Sequence, residues 1–322
     1  MTRPIIAVVG PGRMGRGIAH AFAYTGHQVR LLDTKPRTPE AAAITLAEAH
    51  AEIARSLHTM AVLGAITEPQ STTMAGRITM PDIDEALAEA DVIFEAVPEI
   101  MNAKRESFAR IGAAARPDVP VSSTTSTFNV EELATFLPNP SRFLNTHWLN
   151  PAFLVPLVEV SPGAATDPVV LHSMLDLLRS AGKVPVQCKP APGFIIPRIQ
   201  ALAMNEAARI VAEGVATAED VDIATRVAFG SRFAVMGLLE FIDYGGGDIL
   251  YYASNYLEES LGAPRFAPPD IVRENMQTGR TGARAGAGFY DWTNRDLTDY
   301  QRELFAKLFD LLRHMQLLPT AG

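Results

Sequence analysis

Ile5-Ile-Ala-Val-Val9 runs straight into Gly10-Pro-Gly12-Arg-Met-Gly15, and the next apolar run, Val29-Arg-Leu-Leu32, ends on Asp33. Five apolar residues closed by glycine read as a buried strand, and Met14–Tyr24 as a helix that stops at Gly26. Glycines between such a strand and helix permit a tight turn. They also let the backbone approach a pyrophosphate, whose charge then rests on the helix N-terminus. The spacing alone is a weak signal. Asp33, 18 residues past Gly15, strengthens it, because a carboxylate there accepts from ribose hydroxyls and repels a 2′-phosphate. The stretch predicts a dinucleotide site of Gly10, Gly12, Arg13, Met14, Gly15 and Asp33, for NAD rather than NADP. Lys35 and Arg37 are read as solvated loop charges, with capture of a 2′-phosphate as the alternative.

The same alternation continues outward. A long Ala-rich helix is expected from about Glu40 to Leu63, and strands over Asp91–Val97, Val119–Ser122, Phe143–His147 and Leu157–Val160. A helix over Pro168–Ala181 and a strand over Val184–Cys188 close this half. Lys189-Pro-Ala-Pro-Gly193 breaks both periods and marks a boundary. Beyond it the pattern is helical: Phe194–Glu213, then Val221–Ala228 behind the cap Thr217-Ala-Glu-Asp220, Asp248–Ser260, Pro269–Thr278 and Leu297–Met315. The expected architecture is an α/β Rossmann domain with a mainly parallel sheet over 1–190, followed by an all-α domain over 191–322.

Composition narrows the function. A net charge of -8 argues against a nucleic-acid binder. The single cysteine, Cys188, excludes a disulfide framework and suits a reducing compartment. The first apolar run is too short for a secretion signal or a membrane span, so a cytoplasmic location away from membranes is expected. No ligand cluster suggests a metal or a flavin.

His147 ends an apolar strand, with Asn150-Pro151 just after it and Glu159 inside the apolar run Leu157-Val-Glu-Val160. Strand ends on the carboxyl side of such a sheet are where ligands bind. Alcohol oxidation needs a base as hydride leaves, and an imidazole suits neutral pH. A buried carboxylate behind it fixes the tautomer. The competing reading is a satisfied strand-end histidine and a surface glutamate. His20, His27 and His50 are read as surface residues, and Lys183 as part of a helix end.

Gly10-x-Gly12-x-Met14-Gly15-x-Gly17-Ile18-Ala19, Phe94-Glu-Ala-Val-Pro-Glu99, Ser122-Ser-Thr-Thr-Ser-Thr127, His147-x-x-Asn150-Pro151, Leu157-Val-Glu-Val160, Pro192-Gly-Phe-Ile195 and Gly286-Ala-Gly-Phe-Tyr290 fall in order along the chain. Together they resemble the L-3-hydroxyacyl-CoA dehydrogenases. The resemblance implies a Rossmann domain, a helical domain that forms a homodimer, and a small 3-hydroxyacyl substrate. By position it makes His147 the base and Glu159 its orienting carboxylate. Ser126 and Asn150 would bond the substrate oxygen or the imidazole. Glu99 and Lys104 fall where the family meets cofactor and substrate, with a helix-surface lysine as the alternative for Lys104.

Some positions depart from that pattern. Pro197 stands where the family usually has an asparagine, and Val62 and Leu63 stand where lysines meet the CoA phosphates. Ser231-Arg-Phe-Ala-Val-Met-Gly237 and Pro156 resemble the L-gulonate and carnitine dehydrogenases, which act on free 3-hydroxy acids. In that branch Arg232 would bind the substrate carboxylate, the alternative being an interhelix ion pair. Leu239-Glu-Phe-Ile-Asp243 leans back to the CoA enzymes. Two remoter readings are a 3-hydroxyisobutyrate-type dehydrogenase and a non-catalytic crystallin-like NAD binder.

Overall fold

The computed structural model describes residues 3–318. By its contacts the chain divides after Ala203 into two compact units. The first holds eight strands: β1 (Ile6–Val9), β2 (Val29–Leu32), β3 (Ile78–Thr79), β4 (Val92–Glu95), β5 (Val121–Ser123), β6 (Phe143–Trp148), β7 (Leu157–Pro162) and β8 (Val184–Gln187). They form one sheet in the order β3-β2-β1-β4-β5-β6-β7-β8. Every pairing is parallel except β6 with β7. The expected α/β class, mainly parallel, is what the chain adopts.

Alternation along the strands builds two cores. Ile6 and Val8 pack with Ile18 and Phe22 of α1 (Arg13–Tyr24), Ile53 and Leu57 of α2 (Pro39–Val62), and Leu178 of α7 (Pro168–Ser180). Ala7 and Val9 face the other way. They meet Leu87 of α4 (Ile83–Glu89), Phe108 and Ile111 of α5 (Met101–Ala114), and Leu133 of α6 (Val130–Ala134). Strands covered on both faces read as unbroken apolar runs, which is why they were visible in the sequence. The helices α3 (Glu68–Ala75), α4, α5 and α6 and the two-residue β3 were not. α5 shows the reason: its buried side is Lys104, Ser107, Phe108 and Ile111, so half of the inward stripe is polar.

Order reverses around β1, which lies between β2 and β4. The crevice at the carboxyl ends of β1 and β4 is where such sheets take ligands.

The second unit is helical. α8 (Ile196–Ala212) crosses the division between the two compact units. Then come α9 (Ala218–Ala224), a π-helical turn over Thr225–Gly230, α10 (Ser231–Phe233), α11 (Leu238–Gly245), α12 (Gly247–Leu261), α13 (Asp270–Gln277) and α14 (Leu297–His314). The π turn ends the helix expected over Val221–Ala228 early. Buried Asp243 accepts from the amides of Phe289 (2.9 Å) and Tyr290 (2.8 Å) and from Trp292 Nε1 (2.9 Å). A Cβ on Gly288 would lie 2.1 Å from its Oδ1, so this staple needs the glycine. Among the described residues no helix is long and apolar enough to cross a membrane.

Candidate active site

Each glycine of the first turn has its own task. Gly10 sits at φ +112°, and a Cβ there would lie 2.6 Å from the Ala96 carbonyl oxygen. A Cβ on Gly12 would meet nothing within 4 Å among the described residues. Gly12 also starts α1 with no side-chain cap and no acid in the first turn. Bare amides beside open space are what a pyrophosphate needs, so the loop fits a dinucleotide. Asp33 directly follows β2, its side chain 6% exposed, accepting from Lys35 N at 3.1 Å and Arg37 Nε at 2.6 Å. Arg37 is, as expected, an exposed loop charge. It pairs with the nearest carboxylate, four residues back in the same loop.

His147 and Glu159 are direct partners across the antiparallel β6–β7 pair, which explains their twelve-residue spacing. His147 Nδ1 lies 2.6 Å from Glu159 Oε2, with both residues buried. Glu159 Oε1 accepts from the amides of Ile195 (2.9 Å) and Ile196 (2.8 Å) at the start of α8. With both oxygens occupied the carboxylate is fixed, and Nδ1 carries the proton that donates to it. Nε2 is left as an acceptor. The Phe194 ring stacks on the imidazole, with centroids 5.6 Å apart. Phe194 holds φ +43°, a left-handed conformation that a bulky residue adopts only where its surroundings hold it.

Ser126 lies in the loop after β5, and that loop hangs on charges. Its amide and that of Thr127 donate to Glu99 Oε1 at 3.1 and 3.2 Å, and Thr125 Oγ1 donates to the same oxygen. Glu99 Oε2 meets Lys104 Nζ at 3.2 Å. Lys104, wholly buried, also meets both oxygens of buried Glu95 at 3.1 Å. Ser123 Oγ donates to Glu95 Oε2 at 2.6 Å. Burial pushes the Glu95 carboxyl up against the pull of Lys104 and its hydrogen bonds. At half-exposed Glu99 desolvation pushes the same way, but the bonds from Thr125 and Thr127 and the charge of Lys104 outweigh it, leaving it below the usual range. Lys104 is thus no surface lysine; its ammonium is used inside the fold.

Asn150 borders a cavity of about 320 Å3, lined also by Arg13, Arg16 and His20 of α1 and Ser56 of α2. His20 and His27 are buried, 1% and 2% exposed, against the expectation for both. His20 Nδ1 lies 2.7 Å from Ser56 Oγ, and its ring stacks on Phe153. Burial holds it down at about pKa 4, with the charge of Lys183 adding to the effect. Arg232 lies in α10 of the second unit. Its guanidinium sits 4.8 Å over the Phe241 ring, with no carboxylate within 4.0 Å among the described residues, so the alternative, an interhelix ion pair, is not formed. Glu95 carries a mark in the sequence as well: an acid inside Val92-Ile-Phe-Glu95 gives the same signal that singles out Glu159.

A dinucleotide turn, a histidine backed by a fixed carboxylate, and a polar loop beside it define an oxidoreductase of the nicotinamide type. Comparisons make this specific. Residues 5–191 match the family described as 3-hydroxyacyl-CoA dehydrogenase, NAD binding domain, and residues 193–292 its C-terminal domain. The chain belongs to the 3-hydroxyacyl-CoA dehydrogenase family, and it is an NAD-dependent enzyme. It is 34% identical over 89% of its length to the 3-hydroxyadipyl-CoA dehydrogenase of Escherichia coli (strain K12), and it spans 58% of that protein. It is 31% identical to the 5-formyl-3-hydroxy-2-methylpyridine 4-carboxylate 5-dehydrogenase of Mesorhizobium japonicum, covering 97% of this chain and 98% of that one. The solved structure of a 3-hydroxyacyl-CoA dehydrogenase from Archaeoglobus fulgidus aligns with a TM-score of 0.76 at 31% identity, over 98% of this chain and 100% of the other.

Proposed function

We propose that the enzyme interconverts a short L-3-hydroxyacyl thioester and its 3-oxo product, with His147 as the base. The carrying observation is the carboxylate of Glu159, held at both oxygens and bonded to His147 Nδ1 at 2.6 Å. It leaves Nε2 to take the hydroxyl proton as hydride departs from C3. NAD supplies the hydride acceptor. Gly10, Gly12, Arg13, Met14 and Gly15 hold its pyrophosphate and Asp33 its ribose. Ser126 and Asn150 bond the substrate oxygen, while Glu99, braced by Lys104, orders the Ser126 loop at the cofactor crevice.

A panel of L-3-hydroxybutyryl-CoA, free L-3-hydroxybutyrate, L-gulonate and L-carnitine, read by NADH formation, tests the substrate class. Turnover of the thioester alone is expected. In His147→Gln, NADH binding should persist while kcat falls at least about 100-fold; wild-type turnover in that variant sinks the assignment. Two observations favour a second reading, a free acid clamped by Arg232: among the described residues that guanidinium has no carboxylate partner, and the Mesorhizobium relative is named for a carboxylate. Turnover of a free acid, with its KM raised in Arg232→Met, would establish it.

The second unit also supports a homodimer. None of the residues of α9 or α12 is buried, and Leu202, Met204, Ile249, Tyr252 and Tyr256 are exposed apolar side chains there and on α8. The lone cysteine, Cys188, supports a cytoplasmic site of action.

A further inference from the structure

Lys183 precedes β8, and its side chain turns inward. It is 7% exposed, and its Nζ donates to the carbonyl oxygens of Ala152 (2.7 Å), Val155 (2.9 Å) and Phe153 (3.4 Å). The ammonium lies 5.5 Å from the centre of the Trp148 ring, the residue after His147. Among the described residues no carboxylate stands within 4.0 Å of it. A buried lysine with no acid is costly to keep charged, and burial holds it down at about pKa 8. What it has instead of a counter-ion is a ring of carbonyls from one loop.

That loop is a wall of the cavity beside Asn150. Asn150, Pro151, Ala152 and Phe153 line it, opposite α1 and α2. Tolerance there is small. A Cβ on Gly17 would lie 2.9 Å from the Ala152 Cβ, and the Phe153 and His20 rings stack with centroids 4.2 Å apart. A shift of the loop therefore moves the Asn150 side of the cavity against α1. The dinucleotide turn lies before α1 and takes no hydrogen bond from Lys183.

We propose that Lys183 is a positioning residue: its ammonium gathers the carbonyls of residues 152–155 and so sets the cavity wall against which the acyl substrate binds. This rests on the reading that Asn150 meets the substrate.

The test is steady-state kinetics with L-3-hydroxybutyryl-CoA and NAD, with NADH affinity followed by fluorescence. In Lys183→Met the substrate KM should rise about tenfold, the equivalent of one lost charged hydrogen bond, with NADH affinity within about twofold of wild type. Lys183→Cys in a Cys188→Ser background, alkylated with 2-bromoethylamine, restores an ammonium at nearly the same reach and should bring KM back. Should Lys183→Met fail to fold, Lys183→Gln keeps two donors, and the same split is expected at smaller size. An unchanged KM with only a lowered Tm overturns the proposal. Asn150→Ala, measured alongside, separates the two ideas. If Asn150→Ala is impaired and Lys183→Met is not, only the positioning role falls; if Asn150→Ala is unaffected, the reading of the site itself fails.

Discussion

The sheet of the first unit and the helices of the second treat their apolar residues in opposite ways. β1 and β4 are buried at every position, and α1 buries seven of its twelve residues against them. α9 and α12 bury none, although α12 alone leaves Ile249, Tyr252, Tyr256, Leu257 and Leu261 exposed. Burying such side chains is worth roughly 1.5–3 kcal/mol each, so the first unit gathers this gain within the single chain and the second leaves much of it unused. What holds the second unit together internally is in good part polar: Asp243 with its three donors, and Glu206 paired with Arg265 at 2.7 Å. The residues proposed for the chemistry sit mainly in the self-sufficient unit, while the other leaves apolar side chains exposed.

Four changes sharpen or break that contrast. The largest effect is expected from Leu202→Glu combined with Tyr256→Glu, which removes two apolar contacts worth roughly 3–6 kcal/mol together from a dimer interface. Sedimentation should show a monomer with a lowered Tm; a wild-type protein that is itself monomeric removes the dimer from consideration. Next is Asp243→Ala, which removes the acceptor of three donors, one buried and two part-buried, at roughly 3 kcal/mol. Calorimetry should show the second unit melting early while NADH binding survives, and an unshifted single transition contradicts the staple.

A smaller effect follows from His20. Its folded pKa of about 4 lies below the ordinary 6.5, so the unfolded chain takes up the proton first. The stability this group contributes is present above pH 6.5 and is lost as pH falls toward 4, about 2 kcal/mol by pH 5. His20→Gln should flatten that part of the profile, measured as the difference in denaturant midpoint between pH 7 and pH 5. Equal slopes in both proteins would remove His20 as the cause. The smallest is Leu63→Glu in the first unit. Leu63 is 77% exposed, and the change should stay within about 0.5 kcal/mol of wild type and leave the oligomer intact.

Much of the site could be read from residue order because two strong local rules apply there. A glycine turn between an apolar strand and a helix has few other uses, and an acid inside an apolar run announces a partner. The second rule found Glu159 and, applied evenly, finds Glu95 as well. Lys183 and His20 carry no such mark. A lysine after Ala181-Gly182 has the spacing of a helix end, and a histidine in α1 looks like any helical polar residue. Their burial follows from segments that approach from far along the chain: the loop 152–155 for Lys183, and Phe153 of that loop with Ser56 of α2 for His20.

The sequence by itself determined the class of the sheet, the dinucleotide turn and the family, because each is written in neighbouring residues or in a fixed periodicity. Only the tertiary structure decided which charges are spent inside the fold. Lys104 between Glu95 and Glu99 and Lys183 among carbonyls both depend on which polar groups arrive within about 3 Å of one another. Hydrogen bonds and ion pairs lose their strength within an ångström or so of that distance, and periodicity along a chain carries no record of it.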